Sequence, residues 1–252
     1  MRRACLFARR NLVELLRDPL CYIFCLFLPL TMIVVMYYAF YSPLTFWFDL
    51  SYLVPGIAVF ALSFAMLNTT LLVSRDRTQA FLTRLYVSPM RSIDFILGYS
   101  IPGIFLGISQ IIACYLAGGV LSLVEEKAYA SLTAMIFSTV SLLPVILLFV
   151  GLGILFGSLF SMQSAPGMAS AVISISGFLS GAWMPVETLP ELFRGICCAL
   201  PFYPAVEMVR TFFLDRCVNY ENFWRHLLVV LPYAAVSFLV SVLVFGRRTR
   251  RG

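Results

Sequence analysis

Residues 74–92 read Ser-Arg-Asp-Arg-Thr-Gln-Ala-Phe-Leu-Thr-Arg-Leu-Tyr-Val-Ser-Pro-Met-Arg-Ser, a polar stretch between two long apolar runs. Five of these residues carry charge, so the stretch has to lie in water. Its own apolar side chains then need a surface on which to pack. The stretch is therefore either a basic loop that only sets membrane topology or a contact surface for a soluble partner. Composition does not separate the two.

The composition of the whole chain is that of a membrane protein. Of its 252 residues, 61% are hydrophobic and 12% are charged, about half the charged fraction of an average soluble domain. The formal net charge of +6 comes from Arg residues that flank apolar runs, which indicates membrane orientation rather than nucleic-acid binding. We therefore expect a multi-pass protein of the cell (inner or plasma) membrane, surrounded by the lipid bilayer, with no nucleic-acid partner.

Single residues exclude several kinds of chemistry. The sole lysine, Lys127, does not follow a glycine, so the chain has no phosphate-binding loop that ends in Gly-Lys. Because His226 is the sole histidine, the sequence excludes His-based zinc sites and most His-dependent nucleophiles. We therefore expect no catalytic residue, no metal and no cofactor on this chain. The cysteines form no C-x-x-C pair, but a disulfide is possible within one loop that holds Cys197, Cys198 and Cys217.

A membrane-spanning helix needs about 20 apolar residues. Six runs come close to or exceed this length, at about 21–41, 52–73, 97–124, 132–160, 168–186 and 226–245. The sequence thus predicts an all-α membrane protein with six transmembrane helices in residues 20–246, followed by a basic tail, 247–252.

Residues 1–19 precede the first run and have the pattern of an amphipathic helix in the membrane interface. One helical stripe carries Arg3, Arg10, Glu14 and Arg17. The opposite side carries Leu6, Leu12, Val13 and Leu16. A signal peptide is the competing interpretation, but the apolar run that follows is too long and lacks a small-residue cleavage site. We therefore expect this helix to be part of the mature protein.

The distribution of Lys and Arg between the loops predicts the orientation. Thirteen of them lie in the N-terminal segment, in residues 74–94 and in the C-terminal tail, whereas five lie in the loops on the other side. Both termini and residues 74–92 are therefore predicted to be cytoplasmic. The first five runs contain no Asp, Glu, Lys, Arg or His, so they lack the intramembrane acids and bases that proton-coupled carriers use. If it moves a solute uphill, the energy has to enter from outside the membrane.

Small and polar residues within the runs have several uses. Three G-x-x-x-G pairs, which begin at Gly103, Gly153 and Gly177, suit close helix packing. We expect them to serve packing within the chain, and a dimer face is the alternative. Polar side chains could line a translocation path, although hydrogen bonds between helices are the commoner use. The candidates for such a path are Asn68, Thr69, Gln110, Ser174 and Ser176.

The segment before the last run, 187–225, is long yet too apolar for a watery outer loop. Its pattern predicts two short helices in residues 187–215 that dip back into the outer leaflet. Such a re-entrant piece has to be buried in protein or face a cavity. An interfacial helix with no role in transport is the alternative.

Two motifs follow one another along the chain. The first is Ser74-Arg75-Asp76-Arg77 followed by Arg84-Leu85-Tyr86-Val87-Ser88-Pro89. The second runs from Ser180-Gly181 through Pro185 to Leu189-Pro190, with trailing Leu200-Pro201 and Val209-Arg210. They are similar to the R-L-x-x-[ST]-P element and the S-G-x-x-x-P-x-x-x-[LM]-P signature of type-2 permease subunits of ATP-binding-cassette transporters, the ABC-2 group, which are mostly exporters. The span count, the length and the N-terminal helix also resemble that family.

The resemblance implies a transport subunit and not an enzyme. Two permeases, identical or paralogous, would pair, and two cytoplasmic ABC ATPase subunits would bind the ATP and Mg²⁺. Residues 74–92, the coupling segment, would contact the ATPases through Asp76, Arg77, Phe81, Leu82, Arg84, Leu85, Tyr86, Ser88, Pro89 and Met90. The re-entrant helices and the turn before them would carry the outer signature, Ser180, Gly181, Pro185, Glu187, Leu189, Pro190, Pro201, Glu207 and Arg210. Many family members have Gly-Thr and then Glu where this chain has Gln79-Ala80-Phe81-Leu82-Thr83, so an acidic ATPase contact either falls on Asp76 or is absent.

The expected function is export of a lipophilic or amphipathic substrate, such as a drug, a lipid or a peptide, because the spans are apolar and uncharged. The same fold carries polysaccharides, so a polysaccharide or glycolipid exporter is the alternative. A channel or secondary carrier, and a membrane anchor that recruits a protein without transport, are two further hypotheses. Reconstitution with and without an ATPase separates them.

Overall fold

The computed structural model describes residues 2–40, 46–78, 92–127, 129–214 and 220–249. These residues form helices and no strand; the helices are α1 (Arg2–Arg17), α2 (Pro19–Tyr22), α3 (Leu28–Phe40), α4 (Leu50–Thr78), α5 (Ser92–Val124), α6 (Leu132–Ser141), α7 (Leu143–Leu159), α8 (Ala165–Leu179), α9 (Glu191–Ala199), α10 (Phe202–Leu214) and α11 (Tyr220–Thr249). A π-helical turn, Ile23–Phe27, joins α2 to α3. Two short 3-10 helices lie at Phe46–Phe48 and Val186–Thr188.

Helix α4 lies at the centre of the bundle. In its apolar segment, 83% of the residues are buried, whereas the first and last spans are 22% buried. Helices α5, α7, α8 and α10 all pack against α4, and its residues 52–66 are buried without interruption. Helix α4 therefore connects the two ends of the bundle through the core.

Two glycines allow α7 to approach α4 closely. A Cβ atom at Gly153 would lie 2.8 Å from the carbonyl oxygen of Met66, and one at Gly157 would lie 2.8 Å from that of Thr70. Both distances are too short for a side chain in a closely packed interior. The expectation that this G-x-x-x-G pair serves packing within the chain is confirmed.

Four helical segments are long and apolar enough to cross a membrane by themselves: Ile23–Phe40, Leu50–Arg77, Ile93–Val124 and Glu221–Phe245. Two bent pairs satisfy the same criterion when taken together, α6 with α7 at 41° and α9 with α10 at 79°. The described residues thus hold four to six candidate spans, as in a polytopic membrane protein.

The predicted fifth span, 168–186, differs from the structure. Helix α8 has 15 residues and ends at Leu179, and at 1.5 Å per residue it is about 22 Å long, shorter than the hydrocarbon core of about 30 Å. The chain turns after α8, because Gly181 has φ +64°, a left-handed conformation that interrupts a helix. Residues 180–186 therefore belong to a turn and the start of a 3-10 helix.

The two short helices predicted before the last span are present as α9 and α10. Helix α10 packs against α4 and α11, whereas most of α9 is exposed and Cys197 is its buried residue. That the pair dips into a membrane leaflet stays a prediction. Cys197 and Cys198 are free thiols, and Cys217 lies outside the described residues.

Aromatic side chains bring α1, the start of α5 and the end of α11 together. The ring of Phe7 lies edge-on to Phe95 at 5.7 Å and to Tyr99 at 5.0 Å, and Phe245 lies 5.8 Å from Phe95. We call this end of the bundle the α1 end and the opposite one the α10 end. The charge count predicts that the α1 end faces the cytoplasm.

Candidate functional site

A buried carboxylate joins α1, α4 and α5. The Asp76 side chain is 1% exposed, and its two oxygens accept hydrogen bonds from Nη1 and Nη2 of Arg10, each at 3.2 Å. The Tyr99 hydroxyl donates to the same carboxylate at 2.9 Å. A carboxylate is buried at acceptable cost only when it is paired and hydrogen-bonded. Donors from α1 and α5 meet that requirement here.

Helix α1 reaches Asp76 because it has a third face, in addition to the polar stripe and the apolar side. This inner face packs on the bundle through Ala4, Phe7, Ala8, Asn11 and Leu15. Asn11 donates from Nδ2 to the Gly98 carbonyl at 3.1 Å. The predicted apolar side stays exposed at Leu6, Val13 and Leu16. The helix thus binds the protein with one side and keeps an apolar side suited to the membrane interface.

A further pair of charges extends this contact. Glu14 accepts a hydrogen bond from Arg10 at 3.2 Å and lies 3.4 Å from Arg75 of α4. Burial by itself lowers the pKa of Arg10, but the hydrogen bond and charge of Asp76, with the charge of Glu14, outweigh burial and raise that pKa above its ordinary value. The guanidinium therefore stays protonated, and the network holds α1 against the last turns of α4.

Arg77 makes the corresponding link from α4 to α7. Its Nη1 donates to the carbonyl oxygens of Gly157 at 2.9 Å, of Ser158, and of Phe160 at 3.2 Å. Carbonyls at a helix C-terminus lack partners within the helix, and a cation there is favoured by the helix dipole. Arg77 and Asp76 thus hold the end of α4 from two sides.

The coupling segment continues directly from this end of α4. Of its predicted contact residues, the structure describes Asp76 and Arg77, and both side chains bond within the protein. A carboxylate that is 1% exposed is not presented to a partner in this conformation, so Asp76 holds α1 in place instead of offering an acidic surface. The other predicted contact residues lie outside the described residues: Phe81, Leu82, Arg84, Leu85, Tyr86, Ser88, Pro89 and Met90.

At the α10 end, Arg210 is buried with 1% of its side chain exposed. Its Nη2 donates to the carbonyl oxygen of Gly181 at 2.8 Å and of Ala182 at 3.3 Å, and its Nε donates to that of Tyr52 at 3.2 Å. Glu207 accepts from Nη1 at 2.8 Å, and the guanidinium stacks 3.4 Å from the centre of the Tyr52 ring. One side chain thus holds α10, the turn after α8 and the start of α4 together.

The rest of the predicted outer signature lies along the chain between these contacts. Ser180 accepts a hydrogen bond from the Ala182 amide at 3.2 Å, and Glu187 accepts one from the Tyr203 hydroxyl at 3.2 Å. The remaining members stand at the ends of short helices: Pro185, Leu189, Pro190 and Pro201. The signature therefore shapes the turn and the helix pair, and Arg210 connects them to α4.

Three of the five polar side chains predicted for a translocation path bond within their own helix. Hydroxyls donate to carbonyl oxygens three or four residues earlier in the same helix, at 2.9 to 3.0 Å, in Thr69, Ser174 and Ser176, a common arrangement for Ser and Thr in membrane helices. For these three, the expectation of hydrogen bonds between helices is wrong. It is correct for Gln110, whose Nε2 donates to the Cys25 carbonyl of the first span at 2.8 Å. Asn68 lines a cavity between α2 and α4.

No metal-binding cluster of three or more His, Cys, Asp or Glu side chains occurs within the described ranges.

Comparison with known proteins gives a match over most of the chain. The family model for the ABC-2 type transporter matches residues 3–214. Nodulation protein J of Rhizobium leguminosarum bv. viciae is 36% identical over 80 residues, 32% of this chain and 30% of that protein. The "Probable multidrug ABC transporter permease YbhR" of Escherichia coli (strain K12) is 25% identical over 199 residues, 78% of this chain and 52% of that protein. The chain thus spans less than two thirds of the length of each relative.

Proposed function

The chain belongs to the ABC-2 type transporter family, and from that premise we propose that it is a permease subunit that exports a lipophilic or amphipathic substrate with energy from a separate ATPase. The observation that carries the proposal is the ion pair of Asp76 with Arg10. It connects α1 to the last turn of α4 immediately before residues 79–91. The coupling segment, to which the family resemblance assigns ATPase contact, thus begins on the same end of α4 that α1 binds.

Helix α4 is suited to pass movement between the two ends of the bundle. Its 29 residues correspond to about 43 Å at 1.5 Å per residue. Asp76 and Arg77 hold its α1 end, and Arg210 holds the Tyr52 backbone and ring at the other end. Since the helix is buried and closely packed, a displacement at the α1 end is transmitted rather than absorbed. It would reach the turn at Gly181, which Arg210 bonds directly.

The partners of this permease follow from the proposal. Two cytoplasmic ATPase subunits would bind ATP and Mg²⁺ and press on the coupling segment and on α1. A second permease, identical or paralogous, would complete the path across the cell membrane. This chain would then bind no cofactor and carry no catalytic residue.

The uncharged spans support an apolar or amphipathic substrate. A highly charged solute would meet no compensating Asp, Glu, Lys, Arg or His in the first five predicted spans, and an unpaired charge at membrane depth is costly. YbhR bears the name of a multidrug permease, which agrees with a drug-like substrate. Efflux of such compounds is the activity we propose.

Transport in proteoliposomes tests the proposal. We expect the chain, reconstituted with a cognate ABC ATPase, to move a lipophilic fluorescent dye when ATP is present. The control is the same ATPase with its phosphate-binding Lys replaced by Ala, which should abolish movement. Equal dye movement without any ATPase would instead support a channel or carrier. ATPase binding with no movement of the dye would support an anchor that only recruits a partner.

A further inference from the structure

The first span changes its helical geometry near its start. Residues Ile23–Phe27 form a π-helical turn, in which the Leu28 amide donates to the Ile23 carbonyl five residues earlier. Pro29 follows, buried near the start of α3. In a regular α-helix the Cys25 carbonyl would accept from the amide of residue 29, but proline has no N–H. The turn therefore holds a carbonyl that the α-helical pattern of its own span cannot satisfy.

Gln110 of α5 supplies a donor to this carbonyl. The Gln110 side chain is buried, and its Nε2 donates to the Cys25 carbonyl at 2.8 Å and to the Ala61 carbonyl of α4 at 3.2 Å. The Cys25 thiol donates to the Phe64 carbonyl of α4 at 3.7 Å. One residue of the first span is thus bonded to α4 directly and to α5 through Gln110.

The hydrogen-bonding capacity of Gln110 is only partly used. Its Oε1 is buried and has no hydrogen-bond partner among the described residues. A buried acceptor without a partner costs free energy, so the unpaired oxygen offsets part of the stabilisation that the two Nε2 bonds contribute. The contact therefore holds the turn, but it breaks at less cost than a fully bonded side chain would.

The parts of the first span before and after this turn pack in different hydrophobic clusters. Cys21 and Cys25 share a small cluster with Leu15 of α1 and with residues of α4 and α5. Ile33 and Tyr37 of α3 instead belong to the main core. A displacement of the end of α1 would therefore reach α2 and the π-helical turn before it reached α3.

We propose that the first span bends at residues 23–29 during transport, and that Gln110 is the positioning residue that sets this bend. Helix α1 is bonded to α4 through Arg10 and Asp76. A displacement at the coupling segment would reach α1 and then, through Leu15, the turn. The Gln110 contact gives the turn one defined arrangement, and its release permits another. This role deepens the proposed export function and rests on it.

Hydrogen exchange of the purified full-length chain in detergent tests whether Gln110 holds the turn. We expect Gln110→Leu to accelerate exchange of the amides in residues 23–30 about tenfold, which corresponds to the loss of about one hydrogen bond, and to leave exchange in α7 unchanged. The variant should fold, because leucine also removes the unpaired Oε1. Ser109→Ala is the matched control, because the Ser109 hydroxyl bonds within α5, to the Leu106 carbonyl at 2.7 Å. It should leave exchange at the turn unchanged.

Pro29→Ala tests the reason for the contact. It restores the amide that an α-helix needs at residue 29, so exchange at the turn should slow. Adding Gln110→Leu to Pro29→Ala should then accelerate exchange by less than about twofold, because the two residues act on the same carbonyl. A full tenfold acceleration in that background would contradict the proposal, as would equal exchange of the wild type and Gln110→Leu. Equal acceleration in the turn and in α7 would show general loosening and exclude a positioning role.

Transport in proteoliposomes with a cognate ABC ATPase tests whether the bend is used. We expect Gln110→Leu and Pro29→Ala each to lower the amount of dye moved per ATP hydrolysed, because the first loses the defined bend and the second straightens it. Ser109→Ala should leave this ratio unchanged. A normal ratio in either of the first two variants would contradict use of the bend. Failure of the wild type to move dye would contradict the export function, whereas the exchange experiment, which contains no ATPase, still decides whether Gln110 holds the turn.

Discussion

Asp76 and Arg10 are 66 positions apart in sequence, and their side chains form a two-point ion pair with both N–O distances at 3.2 Å. The pair joins the N-terminal helix to the end of α4 at the base of the coupling segment. Tyr99 of α5 completes the contact at 2.9 Å. We therefore expect α1 and the coupling segment to respond to a partner as one unit.

Breaking the ion pair should loosen α1. Asp76→Asn keeps the shape of the side chain but removes its charge, and we expect a loss of about 1–2 kcal/mol of stability. The estimate is modest because Arg10 is 36% exposed and can turn to Glu14 or to water. Thermal unfolding of the detergent-solubilised protein measures the loss, and hydrogen exchange should accelerate in the amides of α1.

A double-mutant cycle distinguishes loss of the Asp76–Arg10 ion pair from nonspecific destabilisation by the substitutions. If the two side chains act together, Asp76→Asn and Arg10→Gln should cost little more in combination than either does alone. Arg9→Gln, which removes an exposed charge from the same helix, should leave the exchange of α1 amides unchanged. Additive losses in the cycle would show that the ion pair does not hold α1.

Arg210→Lys should destabilise the α10 end strongly. Lysine keeps the charge but lacks the planar fork that bonds Gly181, Ala182 and Tyr52 at once. Buried carbonyls would lose their donor, and we expect a cost of about 3 kcal/mol, read as a lower thermal unfolding midpoint. Arg194→Lys is the matched control, because Arg194 is exposed on α9. Equal midpoints for the two variants would contradict the role assigned to Arg210.

Gly153→Ala should separate α7 from α4. The added methyl would lie 2.8 Å from the Met66 carbonyl oxygen, so one of the two backbones has to move, at a cost of about 1–3 kcal/mol. At Gly167 of α8, an added methyl meets nothing within 4 Å. Gly167→Ala should therefore be neutral, or more stable by up to about 1 kcal/mol through helix propensity. The thermal unfolding midpoints of the two variants, measured in the same detergent, test this difference. Equal midpoints would contradict the close packing of α7 against α4 at Gly153.

Much of the helical architecture follows from local patterns in the sequence. Long apolar runs predict α4, α5 and α11 because a span needs continuous apolar length, and Gly153 with Gly157 predicts a close helix crossing. Hydropathy does not predict the end of α8 at Leu179, because apolar residues continue past the turn at Gly181 to Val186. Gly181, which adopts a positive φ in the structure, followed by Pro185 four residues later, is the sequence signal that marks the boundary.

The side chains that bond to Asp76 are harder to predict from the sequence than the position of the coupling segment. The coupling segment is visible as charge between apolar runs, but the pairing of Asp76 with Arg10 depends on how α1 lies across the bundle. That placement depends on the inner face, where Ala4, Ala8 and Asn11 are small or polar and do not register as an apolar stripe. A lone acid beside a long apolar run was the available signal, because such a carboxylate needs a cationic partner.

The most direct test of the central claim, that an ATPase drives this permease through the coupling segment, is co-purification of the ATPase with coupling-segment variants. We expect Leu82→Asp and Tyr86→Asp to reduce ATPase recovery about tenfold or more while membrane insertion stays normal, since a charge placed in an apolar contact costs more than 1.4 kcal/mol. Leu82→Met and Tyr86→Phe are the matched controls and should retain the ATPase. Normal recovery with both Asp variants would contradict the account.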